Sequence, residues 1–143
     1  MSDPLLTVEN LAVQTRAGET LLRNLGFSLS RGETIGIVGE SGSGKSIAMR
    51  AVMGLLPEGL AATGAVRLGK TDLLRPGAAA AHRGKRITMM FQDPFTMLNP
   101  LQTAGKTLAE GLRRPGADDI ARRLDEVGIS DPAVARQYPF ELS

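Results

Sequence analysis

Eight consecutive residues of this chain have the types and spacing needed to hold a polyphosphate. Gly39-Glu40-Ser41-Gly42-Ser43-Gly44-Lys45-Ser46 satisfies G-x-x-x-x-G-K-[ST] at every fixed position. A triphosphate brings three to four negative charges, and main-chain N–H groups can hold them without burying many cations. Glycines at 39, 42 and 44 allow positive φ and close approach to phosphate oxygens, and a helix starting near Lys45 offers unpaired N–H groups and its positive end. Lys45 is read as reaching the β- and γ-phosphates, and the Ser46 hydroxyl as a ligand for Mg2+. The contact set is therefore Gly39, Glu40, Ser41, Gly42, Ser43, Gly44, Lys45, Ser46 and Ile47. The bland alternative is a glycine-rich turn with an exposed lysine, and the flanking pattern argues against it.

That pattern is strand, loop, helix. Thr34-Ile35-Gly36-Ile37-Val38 is β-branched, apolar and bounded by glycine, which predicts a short buried strand directly before the loop. After it, Ile47, Ala48, Ala51, Val52 and Leu55 recur at three and four, one face of a helix that stops near Pro57-Glu58-Gly59. Upstream, the runs Leu5 to Val13 and Thr20 to Ser30, separated by Arg16-Ala17-Gly18-Glu19, predict a small antiparallel sheet. Downstream, Gly64 to Leu68 is a brief strand, Ala78 to Ala81 a weak helical spacer, and Arg86 to Phe91 a strand ending at Gln92. A glutamine at the carboxyl end of a parallel strand points into the crevice where phosphates sit, so Gln92 is a candidate to bind Mg2+ or orient water.

Asp93 to Pro100 holds two prolines and the apolar residues Phe95, Met97 and Leu98, which predicts a loop with something to touch. Beyond it the pattern is helical. One helix is expected from about 103 to 114, with Leu108 and Leu112 on one face. A second, capped by Asp118 or Asp119 and ended by Gly128, carries Ile120, Leu124 and Val127 on one face. Arg113-Arg114 and Arg122-Arg123 read as solvated helix surface. A boundary falls near Phe91, giving a nucleotide-binding core over 1–91 and a second region over 92–143.

Composition narrows the classes. The chain has 143 residues, 42% of them hydrophobic, and a formal net charge of +2, too balanced to drive nucleic-acid binding through its summed field. It has no cysteine, which excludes disulfides and thiolate chemistry, and its one histidine, His82, cannot build a histidine metal site. The absence of a long apolar run and of a leader-like start predicts a cytoplasmic chain whose membrane contact runs through a partner. None of Asn10, Asn24 or Asn99 is followed by lysine, so the guanine-reading Asn-Lys-x-Asp motif is missing. Asp125-Glu126-Val127-Gly128 matches D-x-x-G only formally, at the end of an amphipathic helix. A small-molecule kinase remains open as a second class, because acceptor-site arginines keep no fixed spacing.

Four segments together resemble the ATP-binding subunit of ATP-binding-cassette (ABC) transporters, in the branch that serves peptide and nickel importers. Gly39 to Ser46 is similar to that family's Walker A loop, and Met53-Gly54-Leu55-Leu56-Pro57 to the end of the following helix. Phe91-Gln92-Asp93-Pro94 with Leu98-Asn99-Pro100 is similar to its Q-loop stretch, and Tyr138-Pro139-Phe140-Glu141-Leu142-Ser143 to the run-in to its Leu-Ser-Gly-Gly-Gln signature. The resemblance implies an α/β P-loop NTPase fold, a RecA-like ABC ATPase core with an N-terminal antiparallel β-subdomain and the start of a helical subdomain. It implies ATP and Mg2+ as cofactors, Lys45 and Gln92 as catalytic residues, Ser46 and Gln92 as Mg2+ ligands, and Gln92 as the sensor of the γ-phosphate. Implied partners are transmembrane permease subunits, a second ABC ATPase subunit as homo- or heterodimer, and indirectly a periplasmic or extracellular substrate-binding protein. The implied location is the cytoplasmic face of the cell membrane. A soluble cassette ATPase without a transport role is the alternative within the family.

The chain also departs from the family. The aromatic residue that stacks on adenine in the first hairpin is replaced by Thr15, and Phe140 stands where the branch commonly carries histidine. The apolar strand ending in Asp-Glu that positions Mg2+ and water has no counterpart: Asp118-Asp119 follows Arg-Pro-Gly-Ala and Asp125-Glu126 follows Ala-Arg-Arg-Leu. The sequence breaks off inside the signature motif, so a truncated fold is expected, the N-terminal part of a longer protein, holding nucleotide weakly and hydrolysing none by itself.

Overall fold

A computed structural model of the chain describes residues 3–93, 97–112 and 115–142. It consists of two units, Met1–Met89 and Met90–Ser143.

In the first unit the opening apolar runs form the predicted hairpin, β1 (Leu6–Thr15) and β2 (Thr20–Leu29), in the register Leu6 to Leu29, Val8 to Phe27 and Val13 to Leu22. On its other side β1 pairs antiparallel with β3 (Leu60–Leu68), and β3 with the two-residue β4 (Thr71–Asp72), giving the order β2-β1-β3-β4. β3 is thus longer than the predicted Gly64 to Leu68. β1 does not alternate strictly. Asn10 takes a positive φ of 49°, which asparagine tolerates, and the ladder shifts register between Val8 and Leu11, so Val8, Leu11 and Val13 all reach the buried side.

That buried side is covered by α1 (Lys45–Val52), whose Ala48, Ala51 and Val52 join Val8, Leu11, Val13, Leu22, Val66 and Leu68 in one core, closed by Leu73 and Ala79. Small residues on the inner face of α1 let its backbone approach the sheet closely. Leu11 is wholly buried, and cutting such a side chain back to alanine costs about 2–5 kcal/mol.

Three expected elements are absent among the described residues. Thr34 to Val38 forms no strand, and Val38 is 97% exposed. Arg86 to Phe91 forms no strand either, only a single bridge from Ile87 back to Arg83, and Met90 is 90% exposed. Apolar β-branched composition favours an extended backbone, but a strand needs a ladder, and among the described residues neither segment forms one. Ala78 to Ala81 lies in successive turns rather than a helix, with Ala79 packed into the core. Four alanines cannot offset the cost of helix nucleation.

The second unit contains α2 (Ala104–Glu110) and α3 (Ala117–Asp125), followed by two 3-10 turns, Pro132–Arg136 and Pro139–Glu141. α2 is shorter than expected, ending at Gly111; Arg113 and Arg114 lie outside the described residues. α3 starts two or three residues earlier than predicted. Gly116 is its N-cap, and Asp119 sits at the third helical position, where its carboxylate accepts from the Gly116 N–H at 3.0 Å. Leu124 is buried, whereas Val127 falls beyond the helix end and is exposed. The Ala104 N–H donates to the Gln137 carbonyl at 2.8 Å, tying α2 to the 3-10 segment. No helix of the described residues is long and apolar enough to cross a membrane.

Candidate functional site

The loop from Gly39 to Gly44 leads into the N-terminus of α1, and it is shaped by local bonds. The Ser43 N–H donates to the Glu40 carbonyl at 3.2 Å, closing a turn, and the Ala48 N–H donates to the Gly44 carbonyl at 2.8 Å, the first bond of the helix. Gly42 and Gly44 both lie in the left-handed region, at φ 81° and 86°. Gly44 is the N-cap, and no side chain caps the first turn. The N–H groups there face outward with the positive end of the helix dipole behind them, an arrangement that receives an anion.

Gly44 does a second job. It is buried against β2, and a Cβ built on it would lie 2.8 Å from the Leu21 carbonyl oxygen and 3.2 Å from Leu22 Cδ1. The helix start is thereby pressed onto the edge of the hairpin. The spacing of the motif does not reveal this contact, since Leu21 and Leu22 lie more than twenty residues away. Ile47 is half-buried and packs against the core, so its side chain faces inward and only its main chain is available to the loop side.

Lys45 folds back over the loop. Its ammonium donates to the carbonyls of Gly39 at 2.6 Å and Glu40 at 2.7 Å, and to Ser43 Oγ at 3.2 Å. Three donors therefore meet three acceptors, and the amine is held over the concave side of the loop. A phosphate entering there would exchange main-chain carbonyls, which are dipoles, for full negative charges. Gly39, Glu40, Ser41, Gly42 and Ser43 are exposed, as is Ser46 in the first turn of α1, so the hydroxyl suited to a hard cation is open to solvent. This donor set fits a polyphosphate with Mg2+: uncapped N–H groups, one ammonium and one hydroxyl. No group of three or more His, Cys, Asp or Glu residues among the described residues could hold a metal by itself.

Gln92 belongs to the second unit and is exposed, and the strand expected to carry it is not formed among the described residues. Of the loop predicted after it, Asp93 to Pro100, Pro94, Phe95 and Thr96 lie outside the described residues, Met97 is exposed and Leu98 half-buried; Ser143, at the end of the run from Tyr138, also lies outside them.

One contact at the far end of α1 had no signal in the sequence. Arg83, about thirty residues beyond the helix, donates from Nη1 to the carbonyls of Met53 at 3.1 Å and Gly54 at 3.0 Å, the end of α1.

The family model described as ABC transporter matches residues 22–143. The oligopeptide transport ATP-binding protein OppD of Mycobacterium tuberculosis is 44% identical over 154 residues, covering 98% of this chain and 25% of that protein. The dipeptide transport ATP-binding protein DppD of Bacillus subtilis is 38% identical over 156 residues, covering 99% of this chain and 47% of its own length. The metal-staphylopine import system ATP-binding protein CntD of Staphylococcus aureus is 34% identical over 150 residues, covering 97% and 55%. The chain spans between a quarter and about half the length of these relatives. With a matched region that begins in β2 and takes in the whole phosphate loop, the chain belongs to the ABC transporter family and is built on its P-loop NTPase plan.

Proposed function

We propose that this chain is the nucleotide-binding portion of an ABC importer subunit that couples ATP to the uptake of peptides or nickel. The observation that carries the reading is the loop Gly39 to Ser46, seated on the uncapped N-terminus of α1 with the Lys45 ammonium poised over it. Relatives named for oligopeptide, dipeptide and metal-staphylopine transport support the cargo class. All three are named for transport or import, which favours an importer over a small-molecule kinase or a soluble cassette ATPase.

In this reading Gly39 to Ile47 contact the nucleotide, Lys45 leaves the Gly39 and Glu40 carbonyls for the β- and γ-phosphates, and Ser46 ligates Mg2+. When bound, Mg2+ neutralises charge on the phosphates and fixes their geometry. Gln92 reports the γ-phosphate and contributes to the Mg2+ site. The working assembly pairs two ATPase subunits on permease subunits at the cytoplasmic face of the membrane, with a substrate-binding protein delivering cargo from outside. These 143 residues alone contain no apolar strand ending in Asp-Glu, and without a positioned carboxylate the attacking water stays unoriented. The polypeptide by itself therefore holds nucleotide and turns over negligibly.

Titration calorimetry tests the reading. Folded protein takes up ATP only when Mg2+ is present, and Lys45→Ala weakens that uptake by roughly 10- to 100-fold, the worth of one charge-assisted bond to phosphate at about 1.4 kcal/mol per decade. Equal uptake by the variant, or none by the parent, would sink it.

A further inference from the structure

Helix α1 has eight residues, a length at which an isolated helix is marginal, so its direction depends on what grips its two ends. At the N-terminus the grip is Gly44 on Leu21 and Leu22. At the C-terminus it is Arg83. One guanidinium nitrogen bonds both the Met53 and the Gly54 carbonyl, at 3.1 and 3.0 Å, the first at the C-cap of α1, where a helix leaves carbonyls without partners, and the second one residue beyond it. A cation there also complements the negative end of the helix dipole. The chain around Arg83 is itself braced. The His82 carbonyl accepts from the N–H groups of Lys85, Arg86 and Ile87, and the Arg83 N–H donates to Ala79. Ala79 is buried, and a Cβ on Gly54 would come within 2.8 Å of the Ala79 Cβ, with the Gly54 backbone at φ +62°. The segment 79–87 thus forms a fixed bracket that meets α1 at one point through packing and at a second through a charged fork.

We propose that Arg83 is a positioning residue for nucleotide: by clamping the last turn of α1 it fixes the direction in which the first turn presents its N–H groups, Lys45 and Ser46 to a polyphosphate. This rests on the phosphate-site reading above. Arg83 touches no nucleotide itself. It acts through a rigid helix of about 12 Å, so tilting the free end by a few degrees moves the loop end by a fraction of an ångström. Anion binding by convergent N–H groups is sensitive to shifts of that size. Lysine substitutes only in part: its ammonium has donors enough for two carbonyls, but its stem is shorter than that of arginine and it lacks the guanidinium plane.

The test measures affinity for Mg-ATP and for inorganic tripolyphosphate in the parent chain, Arg83→Lys, Arg83→Ala and Gly54→Ala. Arg86→Ala serves as a control that removes an exposed cation from the same bracket. All are measured at a temperature where circular dichroism shows each variant fully folded, and hydrogen exchange is followed at 45–48. Arg83→Ala weakens both ligands about tenfold, Arg83→Lys about threefold, and Arg86→Ala less than twofold, with faster exchange in the first turn of α1 only in the Arg83 variants and Gly54→Ala. If Arg83→Ala does not fold, Arg83→Lys and Gly54→Ala carry the same comparison. Unchanged affinity in folded Arg83 variants overturns the proposal while leaving the phosphate site intact, as does an equal loss in Arg86→Ala. Affinity that falls only in step with the unfolded fraction overturns it too. No uptake by the parent chain removes the phosphate-site reading, and this inference with it.

Discussion

Two glycines of one loop share a backbone conformation and differ in surroundings, and this separates strain from packing. Gly42 and Gly44 sit at φ +81° and +86°. An L-residue there costs about 1–2 kcal/mol relative to glycine from the Cβ clash alone, so Gly42→Ala and Gly44→Ala share that penalty. A Cβ on Gly42 meets nothing within 4 Å. On Gly44 it would meet the Leu21 carbonyl oxygen at 2.8 Å and Leu22 Cδ1 at 3.2 Å, and neither can give way easily: the first is backbone of β2, the second a side chain of the core. Forcing an extra methyl into such a place costs about 1–3 kcal/mol more. Gly42→Ala is expected to lose about 1–2 kcal/mol and Gly44→Ala about 2–5 kcal/mol, with a gap of about 1–3 kcal/mol between them. Over a unit of this size each kcal/mol is worth about 4–8 °C in Tm. The chain has no tryptophan and its single tyrosine, Tyr138, lies in the other unit, so far-UV circular dichroism through a urea titration is the suitable readout. Equal losses in the two variants would refute the claim that the helix start is pressed onto β2. A smaller loss at Gly44 would do so outright.

Other outcomes follow from single contacts. Thr107 Oγ1 is buried with no hydrogen-bond partner among the described residues, so Thr107→Val removes an unsatisfied hydroxyl at nearly constant shape and raises the Tm of the second unit by a few degrees; a fall shows that the hydroxyl is satisfied. Asp119→Ala removes the acceptor for the Gly116 N–H and the partner of Arg122 at 2.9 Å, and costs about 1 kcal/mol, read as lost helical ellipticity and earlier unfolding. Phosphate release from Mg-ATP by the 143-residue chain stays at the level of a Lys45→Ala control, and turnover matching that of a full-length relative contradicts the need for a positioned carboxylate.

The parts of this molecule that were legible in sequence are those whose information is local. The hairpin from Leu6 to Leu29 followed from two apolar runs around a turn, the start of α1 at Lys45 from the change of period there, and α3 from the spacing of Ile120 and Leu124. What failed depended on partners. Thr34 to Val38 and Arg86 to Phe91 carry strand composition, yet pairing is a property of two segments and no described segment supplies the second. Asp118 and Asp119 were both plausible caps by type. Only the backbone geometry at Gly116 decides that Asp119 acts from inside the helix, reaching back to the N–H it satisfies.

The same distinction decides what holds the candidate site. The sequence pattern predicts a strand, Thr34 to Val38, directly before the loop. Among the described residues that segment forms no strand, and Val38 is almost fully exposed. The support comes from the side and from behind, through the contact of Gly44 with Leu21 and Leu22, the burial of Ala48 and Ala51 under the sheet, and the Arg83 fork at Met53 and Gly54. Each of these joins residues more than twenty positions apart in sequence or depends on core packing, so no motif could announce them. Between them they constrain the start, the inner face and the end of α1. The loop residues before Gly44 are held mainly by Lys45, whose bonds to Gly39 and Glu40 are the ones an arriving phosphate would take. The helix is thus gripped at both ends while the loop before it is bridged by Lys45, and in the proposed reading donors already in place and a cation that changes acceptors are the combination an anion site needs.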